Sequence, residues 1–333
     1  MTILVTGGAG YIGSHTAKAL SEAGMEPVAF DDLSTGHRDS VRWGPLVEGS
    51  LADREQIAAA LRRHSVDAVI HFAAKAYVGE SVVVPRMYFQ SNVVNTLNLL
   101  AAMLDCGVKH IVFSSTCAVY GIPEHVPITE QQAPQPVNPY GESKAFVERV
   151  LSWYGQAYGL RWVALRYFNA SGADPEGRIG EVHQPETHLI PLAIRAALGL
   201  ESAIGIFGVD YPTPDGTAVR DYIHVEDLAR AHLLALDHLR DGGDVMALNL
   251  GTGHGSSVRE VLNSVESVSG RQVPAIEMDR RAGDPPILVA DPSLAGQELG
   301  WQASYKDLDG IVKTAWKWHS RGDAYADSVP SRR

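Results

Sequence analysis

Only two cysteines, Cys106 and Cys117, occur in the 333 residues. So few exclude a disulfide scaffold and every four-cysteine zinc site, and they suit a reducing compartment, with the cytoplasm as the expectation. No apolar run approaches the length of a bilayer crossing, so no membrane span is expected. No cationic segment leads the opening Met1-Thr2-Ile3-Leu4-Val5 into its first apolar run, so a signal peptide is not expected either. Lysine and arginine runs are missing too. With 28 basic and 39 acidic residues the formal charge is −11, a poor match for nucleic acid or an anionic membrane surface. No His-x-x-x-His spacing with an adjoining carboxylate appears, and no metal is expected. The sequence also lacks internal repeats and low-complexity tracts. Hydrophobic residues make up 45% and charged residues 20%, so a chain of this length buries a sufficient core without metal or disulfide staples.

Short apolar runs alternate with longer amphipathic ones through the first half. Strands are predicted at 3–6, 27–30, 45–48, 68–72, 110–115 and 162–166. Helices are predicted at 11–23, 53–64, 85–105 and 140–158. The strand runs are nearly continuous in Val, Ile, Leu and Phe, as strands covered on both faces should be. That alternation predicts an α/β fold, a Rossmann-type doubly wound parallel sheet with right-handed crossovers. Beyond Asn169 the pattern is mixed. A loop rich in Gly, Pro and charge spans 172–187, and a Gly/Pro/Asp-rich stretch spans 205–216. Helices are expected at 188–200, 225–239, 257–269 and 305–318, with a strand at 247–250 and a frayed tail from Arg321. The organisation expected is a nucleotide-binding domain over 1–170, to which about 222–250 returns, and a smaller mixed α/β substrate-binding region over 171–330.

The first strand is followed by Gly7-Gly8-Ala9-Gly10-Tyr11-Ile12-Gly13, which opens a helix. Gly7, Gly10 and Gly13 suit a tight strand-to-helix turn, close approach of a pyrophosphate, and a helix N-terminus presenting N–H groups to it. Asp31 closes the second strand. A carboxylate there accepts ribose hydroxyls and repels a 2′-phosphate, which selects NAD over NADP. Asp31 and Asp32 would also suit a plain Asp-rich turn. Ser114-Ser115-Thr116 ends the fifth strand, where ligands bind in open parallel sheets. Tyr140 and Lys144 then share one face of a helix at i, i+4 spacing. A nearby ammonium and an oxidised nicotinamide would both favour the phenolate of Tyr140. The result is a base able to take a hydroxyl proton while hydride leaves the same carbon, with Thr116 relaying or polarising that proton. Arg220 and Arg281 are forks of the kind that clamp a diphosphate, although Asp221 and Asp284 stand near enough in sequence to pair with them instead. Cys117 has no nearby histidine partner and reads as a packing residue.

The stretches VTGGAGYIGSH, DDLSTG, HFAAKAYVGES, FSSTCAVYG, NPYGESK, LRYFNASGA, IFGVDYPTPDGTAVRDYIHVEDLA and RRAGDPP together resemble the extended short-chain dehydrogenase/reductase family. Within it they are similar to the branch of nucleotide-sugar epimerases that acts on UDP-glucose and UDP-galactose. That resemblance covers nearly the whole chain and implies a bound, recycled NAD and a homodimer. It implies reversible inversion at carbon 4 of a UDP-hexose through a transient 4-keto sugar. For the cofactor it implies contacts from Tyr11, Ile12, Asp31, Asp32, Leu33, Ser34, Thr35, Gly36, Ser50, Leu51, Phe72, Ala73, Ala74, Lys75, Asn92, Ser114, Tyr140, Lys144, Tyr167 and Phe168. For the substrate it implies Thr116, Tyr140, Asn169, His188, Leu189, Gly205, Ile206, Phe207, Arg220, Arg281, Asp284 and Leu288.

Four departures from the family pattern stand out. Ser50 occupies a position that is often Asp. Lys75 lies one residue early. His188 replaces a frequent Asn. Leu288 stands at the gatekeeper position where a tyrosine narrows the sugar pocket, so N-acetylated UDP-hexosamines are expected to fit as well; an epimerase of UDP-pentoses or UDP-N-acetylhexosamines by the same mechanism is the alternative. A 4,6-dehydratase or decarboxylase would need acidic residues after Thr116, where Cys117 and Ala118 stand. A non-catalytic NAD-binding regulator would be free to lose Tyr140, Lys144 or Arg220, and all three are present.

Overall fold

The computed structural model describes residues 1–281 and 283–321. Six strands lie in the first half: β1 (Thr2–Thr6), β2 (Glu26–Asp31), β3 (Leu46–Glu48), β4 (Ala68–His71), β5 (His110–Ser114) and β6 (Arg161–Tyr167). With a late strand, Met246–Leu250, they form a seven-stranded sheet in the order Met246–Leu250, β6, β5, β4, β1, β2, β3. Every pairing is parallel. Ile3, Leu4, Val5, Val69, Ile70, Ile111, Val112, Val163 and Leu165 are fully buried, which is why these runs show no polar alternation. The order reverses between β1 and β4, the switch point outside which such sheets bind ligands. The Rossmann-type expectation therefore holds.

The helices Tyr11–Glu22, Arg54–Arg63 and Pro139–Tyr158 differ from expectation only at their ends. The long helix expected over 85–105 is instead interrupted. It comprises Pro85–Tyr88, a wider π-helical turn Phe89–Val94, and Asn95–Cys106. Asn92 sits in that wider turn and spends its amide outside the helix, on the backbone of Lys75 and on Ser143. Such bulges re-aim one side chain at a cost in regularity. A short helix, Val78–Val83, precedes it and has no clear sequence signal.

The chain divides into two compact units. The first is Met1–Tyr167, Leu228–Leu250 and Asp291–Gln302, and the second is Phe168–Asp227, Gly251–Ala290 and the chain from Ala303. Residues 222–227 therefore stay in the second unit, where Tyr222–His224 pairs with Asn169–Ser171. Asp291–Gln302 adds to the first unit, with Asp291 N–H donating to the Ile128 carbonyl at 2.8 Å. The first unit's core packs Leu99, Leu100 and Met103 against Ile57, Leu61, Val69 and Ile111.

The second unit carries short sheets that its glycine and proline content hid. Ile204–Phe207 lies inside the stretch read as irregular, yet it pairs in parallel with Ala275–Met278. Val219–Arg220 pairs with Ser256–Ser257 on one side and Ile287–Leu288 on the other. The helices Leu189–Ala197, Val258–Ser269 and Leu308–His319 bury Ile190, Ile194, Val261, Val265, Ile311 and Val312 around these strands. Among the described residues no helix is long and apolar enough to cross a membrane. The expected fraying of the tail falls beyond residue 321, outside the described residues.

Candidate active site

The turn after β1 is built without room for side chains. Gly7 has φ +71°, and a Cβ there would lie 2.7 Å from the Ala73 nitrogen. A Cβ on Gly13 would lie 2.2 Å from the Gly7 carbonyl oxygen. Gly10 is the N-cap of the helix Tyr11–Glu22, with no side-chain cap and no acidic residue in the first turn. Its only close neighbour for a Cβ is the Gly7 oxygen at 3.2 Å. An uncapped helix N-terminus behind a glycine cradle fits a diphosphate. Asp31 ends β2 and accepts from the N–H groups of Ala9 at 3.0 Å and Leu33 at 2.9 Å. Burial pushes its carboxyl up, while the Leu33 and Ala9 N–H groups pull it back. Leu33 is held at φ 57°, a left-handed conformation that non-glycine residues rarely adopt. Asp32 accepts from Ser34 N–H at 2.9 Å, and a Cβ on Gly36 would press on Asp31 and Ala9. Thr35 completes this loop. The donor set, with its buried acid beside a tight loop, fits a dinucleotide with a free 2′-hydroxyl.

Other residues expected near a cofactor have defined local roles. The Tyr11 carbonyl accepts from Ser14 and His15, and the Ile12 carbonyl from Thr16. The Ser50 hydroxyl accepts from Ala52 N–H at 3.2 Å, and Leu51 is buried. Phe72 stacks on His232 with ring centroids 4.6 Å apart. Ala73 N–H donates to the Thr6 carbonyl, and Ala74 follows it in the loop after β4. Lys75 is tied by its backbone, not its ammonium, to Asn92.

The strand end and the following helix assemble the chemistry. Asn138 caps the helix Pro139–Tyr158 by accepting from Gly141 N–H, and Pro139 occupies its first turn. Thr116 accepts from Ala118 N–H at 3.1 Å, and its hydroxyl is among the groups that act on the Tyr140 phenol. Burial, reinforced by Tyr167, pushes the Tyr140 phenol well above its ordinary range, and the Thr116 hydroxyl opposes that shift. Lys144 Nζ donates to the Ser114 carbonyl at 2.8 Å and lies 4.9 Å from the Phe113 ring centroid. Burial brings its pKa down to about 7, with Glu148 holding it up. Lys144 is not among the groups that chiefly set the phenol's acidity in the ligand-free chain. Tyr167 shares a 2.6 Å hydrogen bond with Ser114, and burial pushes it up to about 12.

Sequence reasoning missed what stands behind Lys144. Glu148 is buried and bonds Arg166 through both carboxylate oxygens, at 3.0 and 2.5 Å. Arg166 donates on to Tyr120 at 2.9 Å, and Tyr120 donates to Asn249 at 2.7 Å. The available signal was the i, i+4 step from Lys144 to Glu148 on one helix face.

The residues expected to meet the substrate, beyond Thr116 and Tyr140, lie in the second unit together with Phe168. Phe168 is buried, and Asn169 N–H donates to the Asp221 carbonyl at 2.9 Å. Arg220 realises the bland alternative: its guanidinium donates to Asp284 at 2.5 Å and to the Val219 carbonyl. Asp221 does not pair with it. That buried carboxylate instead collects N–H groups from Thr252, Gly253 and Ala290. Arg281 stacks on Phe207 at 3.8 Å from the ring centroid, and no ion-pair partner is recorded for it among the described residues. Gly205, Ile206 and Phe207 share one strand, and Leu288 sits opposite Arg220 in register. Leu189 opens the helix that His188 caps. Burial opposes a charge on His188, but Glu181, with help from Glu186, holds its pKa up at about 10.

Residues 3–251 match the family model described as the NAD dependent epimerase/dehydratase family. A UDP-glucose 4-epimerase of Rhizobium leguminosarum bv. trifolii is 52% identical over 324 residues, covering 97% of this chain and 99% of that protein. The crystal structure of a UDP-glucose 4-epimerase from Brucella ovis in complex with NAD superposes with a TM-score of 0.93 at 53% identity, over 95% of this chain and 97% of that one. The UDP-Glc/GlcNAc 4-epimerase from Campylobacter jejuni superposes at 0.84 with 40% identity, over 96% and 99% of the two chains.

Proposed function

Because the chain belongs to the NAD dependent epimerase/dehydratase family, we propose that it interconverts UDP-glucose and UDP-galactose by inverting carbon 4 of the hexose. The observation that carries this reading is the pairing of the buried Tyr140 phenol with Thr116, which follows β5, in the same unit as a glycine cradle shaped for a dinucleotide. Bound NAD would supply the hydride acceptor and donor that inversion at carbon 4 requires. Gly7, Gly10 and Gly13 shape the diphosphate site, and Asp31 receives the ribose hydroxyls.

Tyr140 accepts the proton of the 4-hydroxyl, with Thr116 polarising the same oxygen, and gives it back after inversion. Burial alone keeps the phenol protonated, so Tyr140 becomes an effective base only when positive charge stands beside it. Lys144 contributes by holding the Ser114 carbonyl, which fixes the strand end bearing Thr116. The UDP moiety is held by second-unit residues. Arg281 offers an uncommitted planar fork to the diphosphate, and Arg220 has to exchange or share Asp284 to do the same. The protein acts in the cytoplasm as a homodimer. Support for the dimer comes from exposed apolar side chains on the first unit's helices, including Val82, Val83, Phe89, Phe146 and Trp153.

The test is turnover on a panel of UDP-hexoses, UDP-N-acetylhexosamines and UDP-pentoses, with products resolved by chromatography. Interconversion of UDP-glucose and UDP-galactose supports the reading. Turnover of neither overturns it.

A further inference from the structure

One cluster in the second unit has no part in the proton and hydride transfer above, although His188 within it was also expected to meet the substrate. Glu181, His183, Glu186 and His188 fall within eight residues, in the order Glu-x-His-x-x-Glu-x-His, just before the helix Leu189–Ala197. One ligand-type atom from each lies within 4.8 Å of all the others. His188 Nδ1 is 2.8 Å from Glu181 Oε1 and 2.9 Å from Glu186 Oε1. His183 Nδ1 is 3.0 Å from the same Glu181 oxygen and 3.8 Å from Glu186 Oε2. The two imidazoles sit 5.1 Å apart at a 45° tilt, each turning the same nitrogen inward. The carboxylates are nearly sequestered, with side-chain exposures of 3% and 6%.

We propose that these four side chains form a structural site for a divalent transition metal, with zinc as the best match. The geometry is close to what zinc requires. A tetrahedral ion with bonds of about 2.0–2.1 Å to His and carboxylate ligands sets neighbouring ligand atoms roughly 3.4 Å apart. The two contacts of Glu181 Oε1, 2.8 and 3.0 Å, need to open by about half an ångström. Glu186 meets His188 through Oε1 at 2.9 Å and His183 through Oε2 at 3.8 Å, so a small turn of its carboxylate would bring one oxygen to the ion. Electrostatics agrees. Two sequestered carboxylates call for two positive charges nearby, and one divalent cation supplies both while leaving the imidazoles neutral as ligands. Imidazole nitrogens argue against calcium and magnesium, which prefer all-oxygen shells. Four protein ligands leave no open position, so the ion would be structural rather than catalytic. It would pin the loop that leads into Leu189. This site stands apart from the epimerase reading and does not rest on it.

The test begins with the purified, dialysed wild-type protein and ZnCl2 as the probe. About one zinc per chain is expected by elemental analysis. The X-ray absorption edge should show nitrogen and oxygen neighbours near 2.0 Å and no sulfur. ZnCl2 added to chelator-treated protein should raise the thermal midpoint by about 5 °C or more. His183→Gln and Glu186→Gln should each lose the bound zinc and that thermal response. Zinc retained in both variants would mean binding at other surface histidines. A wild-type protein that takes up none and shows no thermal response would leave the cluster without a metal. Either result overturns the proposal.

Discussion

Tyr140 and Thr116 are where a single atom decides the chemistry. Removing the phenol oxygen leaves the ring packed against Tyr88, its edge-on neighbour at 6.5 Å, so the fold should tolerate Tyr140→Phe. Turnover should fall about a thousandfold while UDP affinity, read by calorimetry, changes little. Equal loss of both would make Tyr140 a structural residue. Leu288 is the residue proposed to set specificity. Leu288→Tyr should cut kcat/KM for UDP-N-acetylglucosamine by about tenfold or more relative to UDP-glucose, because the larger ring takes space from an N-acetyl group. Matching changes for both sugars would remove Leu288 from that role. Spacing singled out Tyr140 and Lys144 at i, i+4 and Thr116 at a strand end, whereas Leu288 came from the family resemblance alone. The partner of Arg220 was not legible. Asp221 and Asp284 were equally plausible by sequence, and only the fold shows Asp284 on the guanidinium and Asp221 gathering loop N–H groups.

The helix Pro139–Tyr158 carries the proposed proton-transfer group, Tyr140, and the buried Lys144 one turn on. Lys144 has a buried ammonium with its pKa lowered to about 7, and Glu148 and Arg166 form a buried pair one turn further on. A lysine whose folded pKa lies below its unfolded value burdens the fold with a buried charge at low pH. That burden is complete below about pH 7 and is relieved as pH rises from there toward the unfolded value near 10.5. Over that window the unfolded chain binds more protons, so stability rises with pH. In protein stripped of dinucleotide, wild type should therefore gain on Lys144→Met by about 1.4 kcal/mol per pH unit at the steepest point, measured by urea unfolding. A difference that stays flat across the window would show Lys144 titrating normally.

Glu148→Gln leaves Arg166 buried without its counter-charge and should cost about 3 kcal/mol in the same assay. A loss below about 1 kcal/mol would mean that Tyr120 and water suffice as its partners. At this scale the sheet strands were readable from continuous Val, Ile and Leu runs. The interrupted helix at 85–106 was not, because a π-turn leaves the apolar period nearly intact and only adds a residue. Ile204–Phe207 was hidden by Gly205, which erases the alternation that marks a strand.

The whole molecule is a doubly wound sheet plus a second unit whose small sheets hold the residues expected to meet UDP. The parallel sheet was foreseeable because its strands are covered on both faces. The second unit was foreseeable only as a mixed region, since its strands are two to four residues long and its order comes from pairing between distant segments. Val83 at 79% exposure and Trp153 at 67% are too apolar to face water without consequence. Trp153→Glu should convert a dimer to a monomer in sedimentation velocity, whereas a wild-type protein that already sediments as a monomer would remove the dimer.

The most direct measurement of the central claim is turnover of UDP-galactose in D2O, followed by NMR at carbon 4 of the product. Hydride that leaves and returns within the Tyr140 site never mixes with solvent, so UDP-glucose should form with its original hydrogen at that carbon. Deuterium at carbon 4 would contradict hydride return and replace it with proton abstraction from carbon.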